Sequence, residues 1–183
     1  FPQPDQLVMV WSRIQGNRNG VSAGDLTDWR RRSTAFQDVN AWTGRDLNFE
    51  TDTQPEKVQA RAVTPGFLSM VGYQFELGRN FRTEEGETGR NDVVILANRF
   101  WKSRFKSDRA VIGRQVRING KSTTIVGVLA AGPADRLQDL AWVPLAFTPD
   151  QLNHDFHWLL VMGRLKGDVS MKEADDNMVA VGK

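Results

Sequence analysis

Residues 91–128 read NDVVILANRFWKSRFKSDRAVIGRQVRINGKSTTIVGV, and the order of elements in this stretch decides the fold. Val93–Leu96 is a continuous apolar run, the pattern of a strand covered on both faces. Asn98 stands where a helix N-cap belongs, and Phe100, Trp101 and Phe105 follow at spacings that place i and i+4 on one face. Gln115–Ile118 alternates polar and apolar side chains. Asn119-Gly120 suits a type I′ turn, because both central residues need positive φ, and 123–128 returns as a β-branched second arm. The stretch thus predicts a compact βαββ unit. It carries no nucleophile beside a base, no metal cluster and no phosphate loop.

Around it, 183 residues with 40% hydrophobic and 25% charged side chains fit one ordinary domain or two small ones. The formal net charge is +2, and the basic residues are scattered among acids. A pI near 9.2 therefore does not mark a nucleic-acid binder. The chain has no cysteine, which excludes disulfides, thiolate metal sites and cysteine catalysis. No run approaches the ~18 apolar residues of a membrane span, and FPQPDQ lacks the form of a signal peptide. A start on Phe1 and an end in VAVGK read as a piece excised from a longer chain.

In chain order, 1–6 is extended lead-in, 7–11 (LVMVW) a strand, and 16–20 (GNRNG) a polar loop. Ser22 and Asp25 form an S-x-x-D pattern resembling a capping box. Leu26, Trp29, Ser33, Phe36 and Val39 then predict one amphipathic helix of about four to five turns, with Arg30, Arg31 and Arg32 on its solvated side. Two strands follow over 41–50 and 56–63, joined by a turn at 51–55, and a short helix begins after Pro65-Gly66. Phe75, Leu77 and Phe81 anchor an irregular passage. Glu84, Glu85 and Glu87 lie in a charged loop read as solvated, since no Asp-x-Asp loop organises them around a cation. Pro144 places the run 141–145 at a sheet edge or a strand end. The last strand spans 157–165, and Ser170 with Glu173 caps a final helix carrying Met171, Ala174, Met178 and Val181 on one side.

The one foothold for chemistry is His154, Asp155 and His157 in HDFH. Two imidazoles three residues apart can share a metal, but a catalytic zinc site needs a third ligand, and HExxH is absent. There is no Gly-x-Ser-x-Gly elbow, Walker A or G-x-G-x-x-G sequence. His157 is expected to start a strand with its ring satisfied. Trp11, Trp29, Trp42, Trp101, Trp142 and Trp158 are expected mainly in the core, with a recognition surface as the other reading. Neither a catalytic, metal nor cofactor-binding residue is assigned.

The order of motifs resembles the MacB-like periplasmic core domain of bacterial ABC-transporter permeases. The matching passages are LVMVW at 7–11, SAGDLTDWRRRSTAF at 22–36, VTPGFLSMVGYQFELGRNF at 63–81 and VVILANRFWKSRF at 93–105. They continue as VIGRQVRINGKSTTIVGVL at 111–129, AWVPLAFTPDQ at 141–151 and HWLLVMGRLKGDVS at 157–170. Gly113-Arg114, then Asn119-Gly120, then the run from Thr124 to Val128 is the most specific series. The Trp29–Arg32 helix is more similar to stand-alone permeases than to the macrolide exporter.

The resemblance implies an α+β fold with a porter-like α/β subdomain made of 1–65 and 135–183, and a smaller βαββ-containing subdomain inserted at 66–134. It implies a non-catalytic extracytoplasmic domain coupling ATP-driven motion to export or extrusion. The implied partners are the transmembrane helices of the parent permease, a cytoplasmic ABC ATPase acting through them, and a second permease copy or a periplasmic adaptor, with no nucleic acid. One hydrophobic helix is then expected before Phe1 and three more after Lys183. No contact residue carries over individually, so the partner interface is unassigned. The alternative is a ligand-binding or sensor module using a cleft between the subdomains. An enzyme built on His154, Asp155 and His157 is the third reading.

Overall fold

The computed structural model describes residues 3–50 and 55–181. The turn expected at 51–55 falls almost wholly outside them, as do Phe1, Pro2 and the last two residues. Among the described residues the chain begins with β1 (Leu7–Val10), β2 (Ser12–Ile14), β3 (Asn17–Asn19), α1 (Ala23–Arg32) and β4 (Phe36–Phe49). It continues through β5 (Glu56–Val63), α2 (Phe67–Met70), β6 (Phe75–Gly78), β7 (Val93–Leu96) and α3 (Asn98–Phe105). Last come β8 (Gln115–Ile118), β9 (Lys121–Leu129), β10 (Ala141–Pro144), β11 (Leu160–Leu165) and α4 (Met171–Val181). Short 3₁₀ turns link several of these. The expected α+β class is what the structure shows.

Two compact units emerge, one from 1–43 with 147–183 and the other from 44–146. The first is discontinuous, assembled from both ends of the chain. Its strand order is β1-β11-β4, antiparallel throughout, with Val10 opposite Val161 and Val161 opposite Ala41. All three are buried, as are Leu26 and Trp29 of α1. Ser22 caps α1 by accepting from the Asp25 amide at 3.0 Å, which satisfies one of the N–H groups a helix start leaves open.

The long helix expected through Val39 is a shorter one. α1 stops at Arg32, Ser33 turns to φ −71 and ψ 134, and β4 starts at Phe36. Phe36 and Val39 are buried as expected, but from a strand. Two forces favour the break. Phe36, Val39, Trp42, Thr43 and Phe49 are aromatic or β-branched and fit a pleated surface. Asn177 of α4 also accepts from Ser33 Oγ at 2.8 Å and the Thr34 amide at 3.3 Å, and donates to Thr34 Oγ1 at 3.0 Å. These bonds take up polar groups where the helix ends.

Nor is Arg30 a merely solvated cation. Its Nε donates to the Val39 carbonyl at 2.7 Å and its Nη2 to Asn40 Oδ1 at 3.1 Å. Burial lowers its pKa, against the opposing pull of Asp38. The polar loop expected at 16–20 forms half of the β2–β3 hairpin, whose Gln15-Gly16 turn holds φ 50 and 84. At the far end of the chain, Ser170 and Glu173 make the expected capping box. Glu173 Oε2 accepts from the Ser170 amide at 2.8 Å and its hydroxyl at 2.7 Å.

The second unit contains the quoted stretch, and its elements form as read. Its strand order is β4-β5-β10-β7-β9-β6, with β8 on β9 and at the end of β4. β10 runs parallel to β5 and antiparallel to β7, while β7 runs parallel to β9. Lying between β5 and β7, β10 is no edge; Pro144 simply closes it. Asn119 and Gly120 hold φ 51 and 79, the I′ geometry the hairpin requires. Asn98 is not the cap of α3. Ala97 is, and Asn98 is a buried first-turn residue whose Nδ2 donates to the Leu129 carbonyl at 3.2 Å. Phe100 and Trp101 are buried, and Trp101 Nε1 donates to the Asp108 carbonyl at 2.8 Å.

The loop with three glutamates is partly structural. Thr83–Gly86 is a 3₁₀ turn, and Glu85 is buried. Its carboxylate accepts from Arg79 Nη2 at 2.6 Å and Nη1 at 2.9 Å, and from the Arg82 amide at 2.7 Å. Burial would raise the pKa of Glu85, but the bonds from Arg79 and Arg82 and their charges hold it below the ordinary carboxylate range.

Candidate functional site

The HDFH group lies in the first unit, after the 3₁₀ turn Pro149–Gln151. Its loop is fixed to the start of α1. The Gly24 amide donates to the Asn153 carbonyl at 3.0 Å. A Cβ on Gly24 would stand 2.8 Å from that oxygen and 3.0 Å from the His154 ring, so glycine lets the two backbones meet.

His154 reaches Asp25 rather than Asp155. Its Nδ1 is 2.7 Å from Asp25 Oδ1, and its Nε2 is 3.9 Å from Asp28 Oδ2. His157 Nε2 lies 3.7 Å from Asp25 Oδ2, while its Nδ1 is 3.0 Å from the Asp155 carbonyl. Asp155 thus contributes backbone, not its carboxylate, to the ring contacts. The expected strand start at His157 is corrected as well, since β11 begins at Leu160 after an isolated bridge between Leu159 and Val21. Before it, the loop is tied by local bonds, with the Asp155 and Phe156 amides both donating to Asn153 Oδ1, at 3.0 and 3.3 Å.

Asp25 is the residue that sequence reasoning missed. Its amide donates to Ser22 Oγ at the cap, while its carboxylate turns to the histidines. Ser12 Oγ donates to its second oxygen at 3.4 Å. The hydrogen bond to Asp25 raises the His154 pKa above the ordinary imidazole value. Slight burial opposes this, and the charges of Asp25, Asp28 and Asp155 add to the rise. Arg31 pairs with Asp28 at 3.1 Å on the same helix.

Chemically this is a carboxylate–imidazole clamp. Nucleophilic catalysis needs a hydroxyl aimed at the imidazole, with the carboxylate behind it; Ser12 instead addresses the carboxylate. The two nitrogens of His154 face different aspartates, so one ion does not collect both. Among the described residues no group of three or more His, Cys, Asp or Glu is arranged to hold a metal ion.

The tryptophans divide. Trp29, Trp101 and Trp142 are buried, and Tyr73 meets Trp142 edge-on at 6.3 Å. Trp158 packs edge-on against Phe147 at 6.1 Å, and Trp11 is 37% exposed. In the second unit, Arg61 and Asp139 pair at 2.7 Å in the wall of an open groove that Gln59 and Asp46 also line.

Antiparallel end strands, an inserted mixed sheet and a few short helices define an α+β domain of the porter-like type. The profile of the MacB-like periplasmic core domain matches residues 1–181, and the chain belongs to that family. It is 25% identical over 178 residues to the macrolide export ATP-binding/permease protein MacB of Campylobacter fetus, a match covering 90% of this chain and 28% of that protein. Its fold is similar to a Porphyromonas gingivalis domain assigned to a permease, with TM-score 0.73, 19% identity, and coverage of 99% of this chain and 81% of the other. It is similar also to the periplasmic region of MacB from Actinobacillus actinomycetemcomitans, with TM-score 0.72, 14% identity, and coverage of 97% and 84%. The chain is thus a periplasmic domain of the MacB-like ABC-permease type. No helix among the described residues is long and apolar enough to cross a membrane.

Proposed function

We propose that this domain is a non-catalytic coupling element of an ABC-transporter permease. It passes motion driven by a cytoplasmic ATPase, through the transmembrane helices of the parent protein, to the export or extrusion of a substrate, and it docks a second permease copy or a periplasmic adaptor. The observation that carries this reading is the family match over 1–181. The pairing of β1 with β11 supports it, because the two segments that approach the ends of the domain are strapped side by side. The functional division into a terminal part, 1–65 with 135–183, and an inserted part, 66–134, belongs to the same proposal. It is supported by the discontinuity of the first compact unit.

The test uses the parent permease reconstituted with its ATPase in vesicles. Replacing this domain by a flexible Gly/Ser linker is expected to leave ATP hydrolysis running and abolish substrate export. Unchanged export by that variant sinks the proposal. The non-catalytic part is tested separately on the 183-residue chain, against ester, peptide and phosphodiester substrates. Hydrolysis lost in a His154→Ala/His157→Ala variant would reinstate an enzyme.

A further inference from the structure

In the second unit, the end of α3 and the start of β8 gather four cations around one concave surface. Arg104, Lys106, Arg114 and Arg117 line a groove of about 510 Å³ together with Phe105 and Glu50. Glu50 and Glu56 offset two of these four charges and leave the wall with a local excess of two, as large as the formal charge of +2 on the whole chain.

The three guanidinium groups each meet a neighbour, and the backbone that carries Lys106 is fixed. Arg117 Nε donates to Glu50 Oε2 at 2.8 Å and its Nη2 to the Gly120 carbonyl at 3.0 Å. Arg114 lies over the Phe105 ring, 5.8 Å from its centre, a contact that favours a cation on the ring face. Lys106 is the C-cap of α3 with φ 52, and Ser107 follows at φ 60. Two successive non-glycine residues in the left-handed region are costly, and Trp101 helps hold them through its carbonyl and its indole. Arg104 stands 3.6 Å from Glu56. Among the described residues, neither Lys106 nor Arg114 has a carboxylate within ion-pair distance.

Like charges crowded into a cleft repel one another, and a low-dielectric wall focuses their field outward. A bound anion relieves that repulsion. Planar guanidinium forks suit phosphate oxygens, and a lysine adds a movable point charge. With Arg117 and Arg104 already paired to Glu50 and Glu56, Lys106 and Arg114 carry the uncompensated charge, and phosphate oxygens bearing two or more negative charges match that pair. We propose that this groove is a binding site for a phosphate-bearing polyanion, with Lys106 and Arg114 as its principal contacts and the Phe105 ring as an apolar border. Free polyphosphates and phosphorylated lipid headgroups share this chemistry.

The experiment is calorimetric titration of the 183-residue chain with pyrophosphate, alongside flotation with vesicles of phosphatidylglycerol or of phosphatidylcholine. Saturable binding is expected with pyrophosphate, with phosphatidylglycerol vesicles, or with both. A Lys106→Glu/Arg114→Glu variant should bind at least about tenfold more weakly, as expected when two charge-assisted contacts are lost. Arg13→Glu/Arg18→Glu makes the same change in net charge on the exposed β2–β3 hairpin and should stay within about twofold of the parent. If the first variant does not fold, as read by circular dichroism, Lys106→Gln/Arg114→Gln replaces it. Vesicle binding without pyrophosphate binding assigns the lipid headgroup as the source, pyrophosphate binding without vesicle binding assigns a free polyphosphate, and vesicle binding competed by pyrophosphate places both in this groove. The proposal is overturned if neither probe binds saturably, or if both double variants weaken binding equally.

Discussion

Asp25 Oδ1 lies 2.7 Å from His154 Nδ1, joining residues 129 positions apart in the chain. The contact closes the loop before β11 onto the first turn of α1.

This clamp should respond to pH. Because the His154 pKa is raised in the folded chain, the charge-dependent stabilisation is fully present below the unfolded imidazole value of about 6.5. It is lost as pH rises through the higher folded value. The His154 side chain is 60% exposed, so screening limits the effect to about 0.5 kcal/mol, the size of a surface pair. His154→Gln should flatten the upper part of the Tm-versus-pH curve relative to the parent. Superimposable curves from pH 5.5 to 8.5 would rule the clamp out as a titrating contact.

Glu85 has the opposite sign. Its pKa is depressed, so the stabilisation it gives is present above the ordinary glutamate range and is lost as pH falls through the folded value. Glu85→Gln should cost about 2 kcal/mol at neutral pH, after allowing for the 36% exposure of Arg79. The deficit should shrink on acidification. Urea unfolding at pH 7 and pH 4 measures it, and a deficit independent of pH would contradict the assignment.

The tip of the β8–β9 hairpin is fastened to β4. Asn119 Oδ1 accepts from the Asn48 amide at 2.9 Å, and the Asn119 amide donates to the Asn48 carbonyl at 2.9 Å. Asn119→Ala loses both tolerance of positive φ and the side-chain acceptor, for about 1–2 kcal/mol. Asn119→Gly keeps the first and loses the second, so its urea midpoint should fall between those of parent and alanine variant. If glycine is the worse of the two, the turn geometry is not what asparagine supplies.

Gly163 of β11 faces the Phe36 ring with no room for another carbon; an added Cβ would collide with Phe36 Cδ1. Gly163→Ala should cost about 1–3 kcal/mol, lowering Tm by several degrees in a chain of this size. Phe36→Leu placed in that background should recover part of the loss. An unchanged Tm for Gly163→Ala would mean the strand yields freely there.

Much of this architecture was readable because local pattern and global fold agree. In 91–128 the hydrophobic period switches from continuous to helical to alternating, and Asn119-Gly120 fixes the turn. The misreadings have physical causes. Leu26, Trp29, Phe36 and Val39 are all buried, and their spacing fits one helix as well as a helix followed by a strand. What separates the two is Asn177, 144 residues from Ser33, which no local window contains. The β2–β3 hairpin carries a single apolar side chain, the exposed Ile14, so it has no apolar alternation to detect. The clamp was half legible. The histidines stood out by rarity, whereas Asp25 looked like a cap residue until the fold brought the distant loop to it. Glu85 hid among exposed acids, and only the approach of Arg79 distinguishes it.

The antiparallel register of β1 and β11 sets Leu7 opposite Arg164 and Val10 opposite Val161. The beginning of one strand therefore lies beside the end of the other. Tension drawing Leu7 and Arg164 apart peels this ladder open rung by rung, as a zipper, and does not shear all its bonds at once. Under load, this seam would be among the first places where the domain yields.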